Sequence, residues 1–355
     1  TEGALTLLFD NGDSMQGVPF GDLAAQNSGF RGHPLMRAFN HLRYDAIGLG
    51  NHDFDYGLRP LDAAVRQAPC PVVATNLVAP ADGALSACVP YAVLDRIIRS
   101  EGREYPIRIG VLSLLPPQTM GWNAHLLKGR VEVDDILDSA RRGLENLAPA
   151  RCDLTVALAH SGIADEHPLR GQENAVVPLA ALPGLDVIVA GHTHLAFPGR
   201  DHDSTAQVNA ELGTVHGKPV VMPGAGGSHL GIVDLKVERP SGGAWRVTAS
   251  RSEVRPVARR RSSGALDSLA EPHPGLAALL AFHSAELDPA ALFIELYRVT
   301  SNPTLVAIPL FTFAGFILAN GKTPQRLTRL SQAFLGGLTG GVPMVVLAAC
   351  AFFTA

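Results

Sequence analysis

The chain is poor in charge, aromatics and sulfur. Only 17% of its 355 residues are Asp, Glu, Lys or Arg, 6% are aromatic, and the formal net charge is -4. Its one basic run is Arg259-Arg260-Arg261. A mild balance without an extended basic stretch excludes a nucleic-acid polymer as partner. The four cysteines, Cys70, Cys88, Cys152 and Cys350, have no metal-ligand spacing, which argues against a thiolate-held metal. Cys70 and Cys88 either pair in an oxidising compartment or stay as buried thiols. No signal peptide opens the sequence, Thr1 is not an initiator Met, and residues 5–9 already read as a core strand. A segment preceding Thr1 is therefore expected. Acidic residues are absent from Thr300 to Ala355, where the only charges are Lys322, Arg326 and Arg329.

What is present is organised around Gly191-His192-Thr193-His194. Residues 185–190 (LDVIVA) form an apolar, β-branched run that predicts a buried parallel strand. The glycine turns the chain at the strand's end and leaves two imidazoles at the carboxyl edge of a sheet, where open α/β sheets place their chemistry. Taken alone, two histidines in a surface turn would look the same. The pattern recurs, however. Residues 5–9 lead into Asp10-Asn11-Gly12-Asp13, where Asp13 serves either a cation or a local Asx-turn. The strand predicted over 44–49 ends in Gly50-Asn51-His52-Asp53-Phe54-Asp55, with an amide oxygen as a hard ligand and a His held by an Asp three residues on as an acid–base pair. Residues 154–159 (LTVALA) end at His160.

Between these strands the spacing predicts helices over 34–42, 61–67 and 133–147, a strand over 71–76, and two strands, 91–99 and 107–114, around a polar hairpin. Residues 219–222, 231–236 and 245–251 read as an antiparallel layer. The stretch that follows, rich in Arg, Ser, Pro and Gly, predicts a linker over 255–288. Beyond it, residues 304–319 and 334–355 are uncharged. The second run has the length of a membrane span, about 20 residues, and the first needs its polar flanks. A buried helical hairpin is the alternative. The positive residues between the runs would face the cytoplasm.

Together Asp13, Asn51, His160, His192 and His194 offer one carboxylate, one amide and three imidazoles. That set suits Mn²⁺, Fe²⁺ or Zn²⁺ rather than Ca²⁺. A carboxylate bridging two ions about 3.5–4 Å apart polarises a phosphoryl group and supplies hydroxide at neutral pH. His52, oriented by Asp55, would stabilise phosphoryl charge or protonate the leaving alkoxide.

The ordered motifs GDSMQ, GNHDFDYG, AHSG and GHTH resemble the calcineurin-like metallophosphoesterases of the 5′-nucleotidase branch. DNGDSMQGVPFGD, VLSLLPPQTMGW and PGAGGSHLG are most similar to the periplasmic 2′,3′-cyclic-nucleotide 2′-phosphodiesterase/3′-nucleotidases, over residues 4–286. The resemblance implies an α/β fold, a β-sandwich flanked by helices in four layers (α/β/β/α), within residues 1–254. It also implies nucleotide substrates and two divalent ions. Asp13 would bridge them, Asn51, His160 and His192 would complete one site, His194 would belong to the other, and His52 with Asp55 would form the catalytic pair. The family's Asp-x-His pair, which supplies two ligands to the ion held by His194, does not precede Asp13 here. One complete ion site is therefore expected. Residues 289–355 resemble the early part of the large permease subunit of tripartite ATP-independent periplasmic transporters. That implies an all-α membrane segment with two spans, and a phosphoesterase on the periplasmic face of a bacterial inner membrane if exported. The alternative is a fragment of such a permease with a passenger phosphoesterase, or a fusion without function.

Overall fold

The computed structural model describes residues 4–17, 21, 22, 25, 33–78, 83–164, 169–202, 205–240, 243–260 and 266–269. The chain divides into two units, Thr1–Glu286 and Leu287–Ala355. The membrane runs expected over 304–319 and 334–355 lie outside the described residues. Among the described residues no helix is long and apolar enough to cross a membrane.

The first unit is built on a large mixed sheet. Its strands are β4 (Ala92–Ser100), β5 (Arg103–Leu114), β7 (Leu154–Ala159), β8 (Val187–Ala190), β9 (Ala196–Phe197), β10 (Val208–Asn209), β11 (Thr214–Val215) and β12 (Lys218–Pro223). They run in the order β10-β11-β12-β8-β7-β5-β4, with β9 on β12. β5, β7, β8 and β12 pair in parallel. All six residues of β7 are buried, as a strand covered on both faces requires. β4 and β5 are antiparallel and join through Glu101 and Gly102, both at positive φ. That two-residue connection matches the right-handed twist of the strands, so both strands reach further into the predicted polar hairpin than expected.

A second set of strands pairs apart from this sheet. β1 (Phe9–Asp10) and β2 (Ala46–Ile47) are parallel, and Val72 bridges Ile47 in the same sense. The remaining pairs are β3 (Leu77–Val78) with β6 (Glu132–Val133), β13 (His229–Glu238) with β14 (Arg246–Pro256), and β15 (Ala258–Arg260) with β16 (Leu266–Ser268). Helix α1 (Pro34–Leu42) begins with Pro34, whose fixed φ suits the first turn. It buries Met36 and Phe39, three residues apart and so on one face. α2 (Leu58–Val65) buries Leu58, Leu61, Ala64 and Val65. Beyond the two short helices α3 (Thr119–Trp122) and α4 (Ala124–Leu127), α5 (Ile136–Leu147) is capped by Asp135, which accepts the Asp138 amide at 2.9 Å. α6 (Val176–Ala180) follows the loop after β7.

Strand alternation divides the apolar residues among three cores. Leu112 and Leu114 of β5 pack with Ala157, Ile188 and Val220 against α5 and α6. Ile107, Ile109 and Val111 point the other way and meet Ala46, Val73 and Trp245. Ile47 and Leu49 pack on α1 and α2. Each fully buried Leu or Ile contributes about 1.5–3 kcal/mol.

Two expectations are corrected. The run 219–222 pairs in parallel with β8 and antiparallel with β11 and β9, so the antiparallel layer expected for it holds in part only, because a short apolar run carries no record of its partners' directions. The arginine- and serine-rich stretch from residue 255 continues in strand pairing to Arg260 and again over Leu266–Ser268. Exposed strand faces tolerate that composition, which hid the pairing. Cys70, Cys88 and Cys152 are free thiols.

Candidate metal centre

β1, β2, β7 and β8 each end in a loop carrying polar residues, and two cross-links draw these loops together. The Asn11 amide donates to the Ala159 carbonyl at 3.1 Å, and the Asn11 carbonyl meets Nδ1 of His160 at 2.8 Å. Asp53 clasps the first two loops. Its carboxylate accepts the backbone N–H groups of Gly50, Asp13, Ser14 and Met15 at 2.8–3.2 Å. Burial, and then the nearby Asp13 charge, push the Asp53 carboxyl up. Asp10 accepts from Ser14 and Gly12, and burial raises its carboxyl to about 7. Gly50 is required by proximity, since a Cβ there would lie 2.3 Å from Oδ1 of Asp13 and 2.7 Å from Cε1 of His160.

The predicted residues meet in contacting pairs. Oδ2 of Asp13 lies 2.9 Å from Nε2 of His160, and Oδ1 accepts the His52 backbone N–H at 2.7 Å. Oδ1 of Asn51 lies 3.1 Å from Nδ1 of His192. The two imidazoles face each other edge-on, with centroids 5.3 Å apart. Nδ1 of His52 and Oδ2 of Asp55 are 2.7 Å apart. His192 and His194 both have positive φ, 73° and 64°, a costly conformation outside glycine. His194 is exposed. It lines the same cavity of about 960 Å³ as Asp13, His52 and His160, but among the described residues it makes no hydrogen bond or ion pair with the other four candidates.

The proton positions decide whether a cation fits. A backbone carbonyl only accepts, so the Asn11 carbonyl places the proton of a neutral His160 on Nδ1 and leaves Nε2 bare. Nε2 is buried and lies 2.9 Å from Oδ2 of Asp13. Nε2 of His192 faces Oε1 of Glu173 at 2.8 Å and Nδ1 faces Oδ1 of Asn51 at 3.1 Å, so both ring nitrogens meet an acceptor and a neutral ring leaves one of them bare. Two pairs of lone-pair donors are thus pressed together. A positive charge on the imidazole relieves the first pair. Burial opposes ionisation of both partners, yet their contact holds His160 above and Asp13 below its ordinary value. His192 is held below the usual histidine range, chiefly by burial. A divalent cation relieves both pairs, and a carboxylate, an amide oxygen and two imidazoles suit a borderline ion. The four residues fit such an ion by their chemistry. Among the described residues, though, no three His, Cys, Asp or Glu side chains form a ready-made metal cluster. The four residues therefore stand as two adjacent pairs.

Three contributors escaped the sequence reading. Glu173 holds His192. Trp122 stacks on the His192 ring with centroids 5.4 Å apart. Asn123 donates to the Asn51 carbonyl at 3.0 Å. All three lie in loops or short helices without periodicity, and only the sequence PPQTMGW, already singled out, pointed to any of them.

Residues 8–196 match the calcineurin-like phosphoesterase family, and residues 274–355 match the DctM component of the tripartite ATP-independent periplasmic transporters. The chain is 39% identical over 261 residues to the trifunctional nucleotide phosphoesterase protein YfkN of Bacillus subtilis, covering 71% of this chain and 18% of that one. It is 37% identical over 269 residues to a 2′,3′-cyclic-nucleotide 2′-phosphodiesterase/3′-nucleotidase of Salmonella typhimurium, covering 74% and 41%. The chain thus spans less than half the length of these relatives. The crystal structure of calcineurin-like phosphoesterase YfkN superposes with a TM-score of 0.71 at 35% identity, covering 79% of this chain and 83% of that one. A putative 5′-nucleotidase from Staphylococcus aureus shares the fold, with a TM-score of 0.55 at 22% identity over 79% and 50%. The matched region reaches from β1 through His194 and so contains every loop that converges on the site, and over that span the chain belongs to the calcineurin-like phosphoesterase family.

Proposed function

We propose that the first unit is a metal-dependent phosphoester hydrolase acting on nucleotides, of the 2′,3′-cyclic-nucleotide 2′-phosphodiesterase and 3′- or 5′-nucleotidase type. The observation that carries this reading is the pair of close contacts, Asp13 with His160 at 2.9 Å and Asn51 with His192 at 3.1 Å. The named activities of the Bacillus and Salmonella relatives support the substrate class. In this reading the three cores separate four layers, α/β/β/α, within the first unit.

Asp13, Asn51, His160 and His192 would hold one ion completely. Asp13 and His194 would reach a second. Bound there, a divalent cation supplies Lewis-acid polarisation of the phosphoryl oxygens and a water of lowered pKa. His52 acts beside it. Asp55 engages Nδ1 and fixes the ring, leaving Nε2 to hold a proton for the leaving alkoxide at the wall of the cavity. The test is Mn²⁺-dependent hydrolysis of 2′,3′-cyclic AMP and 3′-AMP by the purified chain, with the bound metal counted after dialysis. Turnover with tightly held metal is expected, and no turnover at any Mn²⁺ concentration would refute the function.

The match of residues 274–355 to the permease component favours a further reading, that this segment tethers the phosphoesterase to a membrane with the enzyme on the periplasmic face. Sodium carbonate extraction of membranes from expressing cells checks it: the chain should remain in the pellet, and release into the supernatant would count against the tether.

A further inference from the structure

We propose that Glu173 is the positioning residue that sets the tautomer of His192, holding the proton on Nε2 so that Nδ1 is the atom presented to the ion. The inference rests on reading His192 as an ion ligand. It begins from a chemical constraint: a neutral imidazole carries one proton, and whichever nitrogen keeps it cannot bind a cation. Oε1 of Glu173 is 2.8 Å from Nε2, and an ionised carboxylate only accepts. The opposite nitrogen faces Oδ1 of Asn51, another acceptor.

Glu173 is well placed to hold this state because its loop is bound to the end of β7. Oγ of Ser161 donates to the Glu173 carbonyl at 2.7 Å and accepts the Ala175 N–H at 2.8 Å. The Gly162 N–H donates to the Asn174 side chain at 3.1 Å. Gln118 ties Gly171 to the turn before α3, and α3 ends at Trp122, whose ring covers His192 at an interplanar angle of 27°. The residues immediately after His160 therefore fix the group that orients His192. This is the arrangement by which an outer carboxylate raises a ligand's basicity and fixes its ring.

The proposal is tested on Glu173→Ala and Glu173→Gln, with His192→Ala as reference. Long-range ¹H–¹⁵N spectra, recorded at about pH 8 where imidazole is neutral, identify His192 by its loss in His192→Ala. They should show the Nε2–H form in the parent chain and a shift towards Nδ1–H in Glu173→Ala. Titration with Mn²⁺ alone should show Glu173→Ala binding about 10–100-fold more weakly, with Glu173→Gln, which keeps the shape, falling between. An Nδ1–H form in the parent chain would overturn the proposal. So would Mn²⁺ affinity unchanged in Glu173→Ala while His192→Ala binds weakly. If His192→Ala itself binds Mn²⁺ as tightly as the parent, the ligand reading fails instead. Glu173 is partly exposed, and matching thermal unfolding of the variants separates these outcomes from a folding defect.

Discussion

His160→Ala is expected to abolish Mn²⁺-dependent turnover of 2′,3′-cyclic AMP, lowering the rate by at least about 10²–10³-fold, the loss typical when one group stabilising transition-state charge is removed. The size follows from what His160 touches. Its bare Nε2 approaches Asp13, its Nδ1 holds the Asn11 carbonyl, and its edge meets His192. In the proposed reading its removal takes one ligand away, and it loosens the loop that carries Asp13. His160 is 3% exposed, and truncation also leaves the part-buried Asn11 carbonyl without this donor, at about 1–3 kcal/mol. His160→Gln, measured alongside, separates that structural cost from the chemistry. Initial rates and Mn²⁺ binding should fall in both variants. Turnover within about tenfold of the parent, a difference of only some 1.4 kcal/mol, would remove His160 from the centre.

His52→Ala is expected to divide rate from binding. Turnover should fall by about 10²–10⁴-fold, the usual contribution of a general acid, while Mn²⁺ affinity stays at the parent value. The contact between residue 52 and Asp13 is made by the backbone N–H, which alanine retains, and the imidazole is 45% exposed, so no core packing is lost. Asp55→Asn should give a smaller loss in the same direction, because an amide still orients Nδ1 without stabilising its charge. Single-turnover rates and Mn²⁺ titration of both variants are the measurements. Equal losses of rate and affinity in His52→Ala would make His52 a ligand instead of an acid.

Much of this centre was readable before any coordinates because its grammar is local. Apolar runs ending in a ligand-type residue beside a glycine marked Asp13, Asn51, His160 and His192; parallel pairing brings together the ends of β1 and β2 and those of β7 and β8, and the Asn11 contacts join the two pairs. Asp55 three residues after His52 was equally legible. Glu173 was not, since it stands in a loop 13 residues beyond His160 and meets His192 only through tertiary folding. Asp53 was visible as a carboxylate, but its four backbone donors come from two loops and leave no trace in spacing. The direction of β12 and the pairing after residue 255 were hidden for a related reason, because a strand's partner is chosen elsewhere in the chain. The proton on each imidazole depends on what its other nitrogen touches, and no sequence pattern carries that.

The clasp at Asp53 and the contact between Asn11 and His160 join segments 38–40 and 149 residues apart. Loops so distant along the chain close late, after the slow search that parallel pairing demands. A nascent chain therefore displays its separate ligands long before it has a centre. Ion uptake during refolding would then report completion of the tertiary structure, lagging behind the appearance of helix and strand.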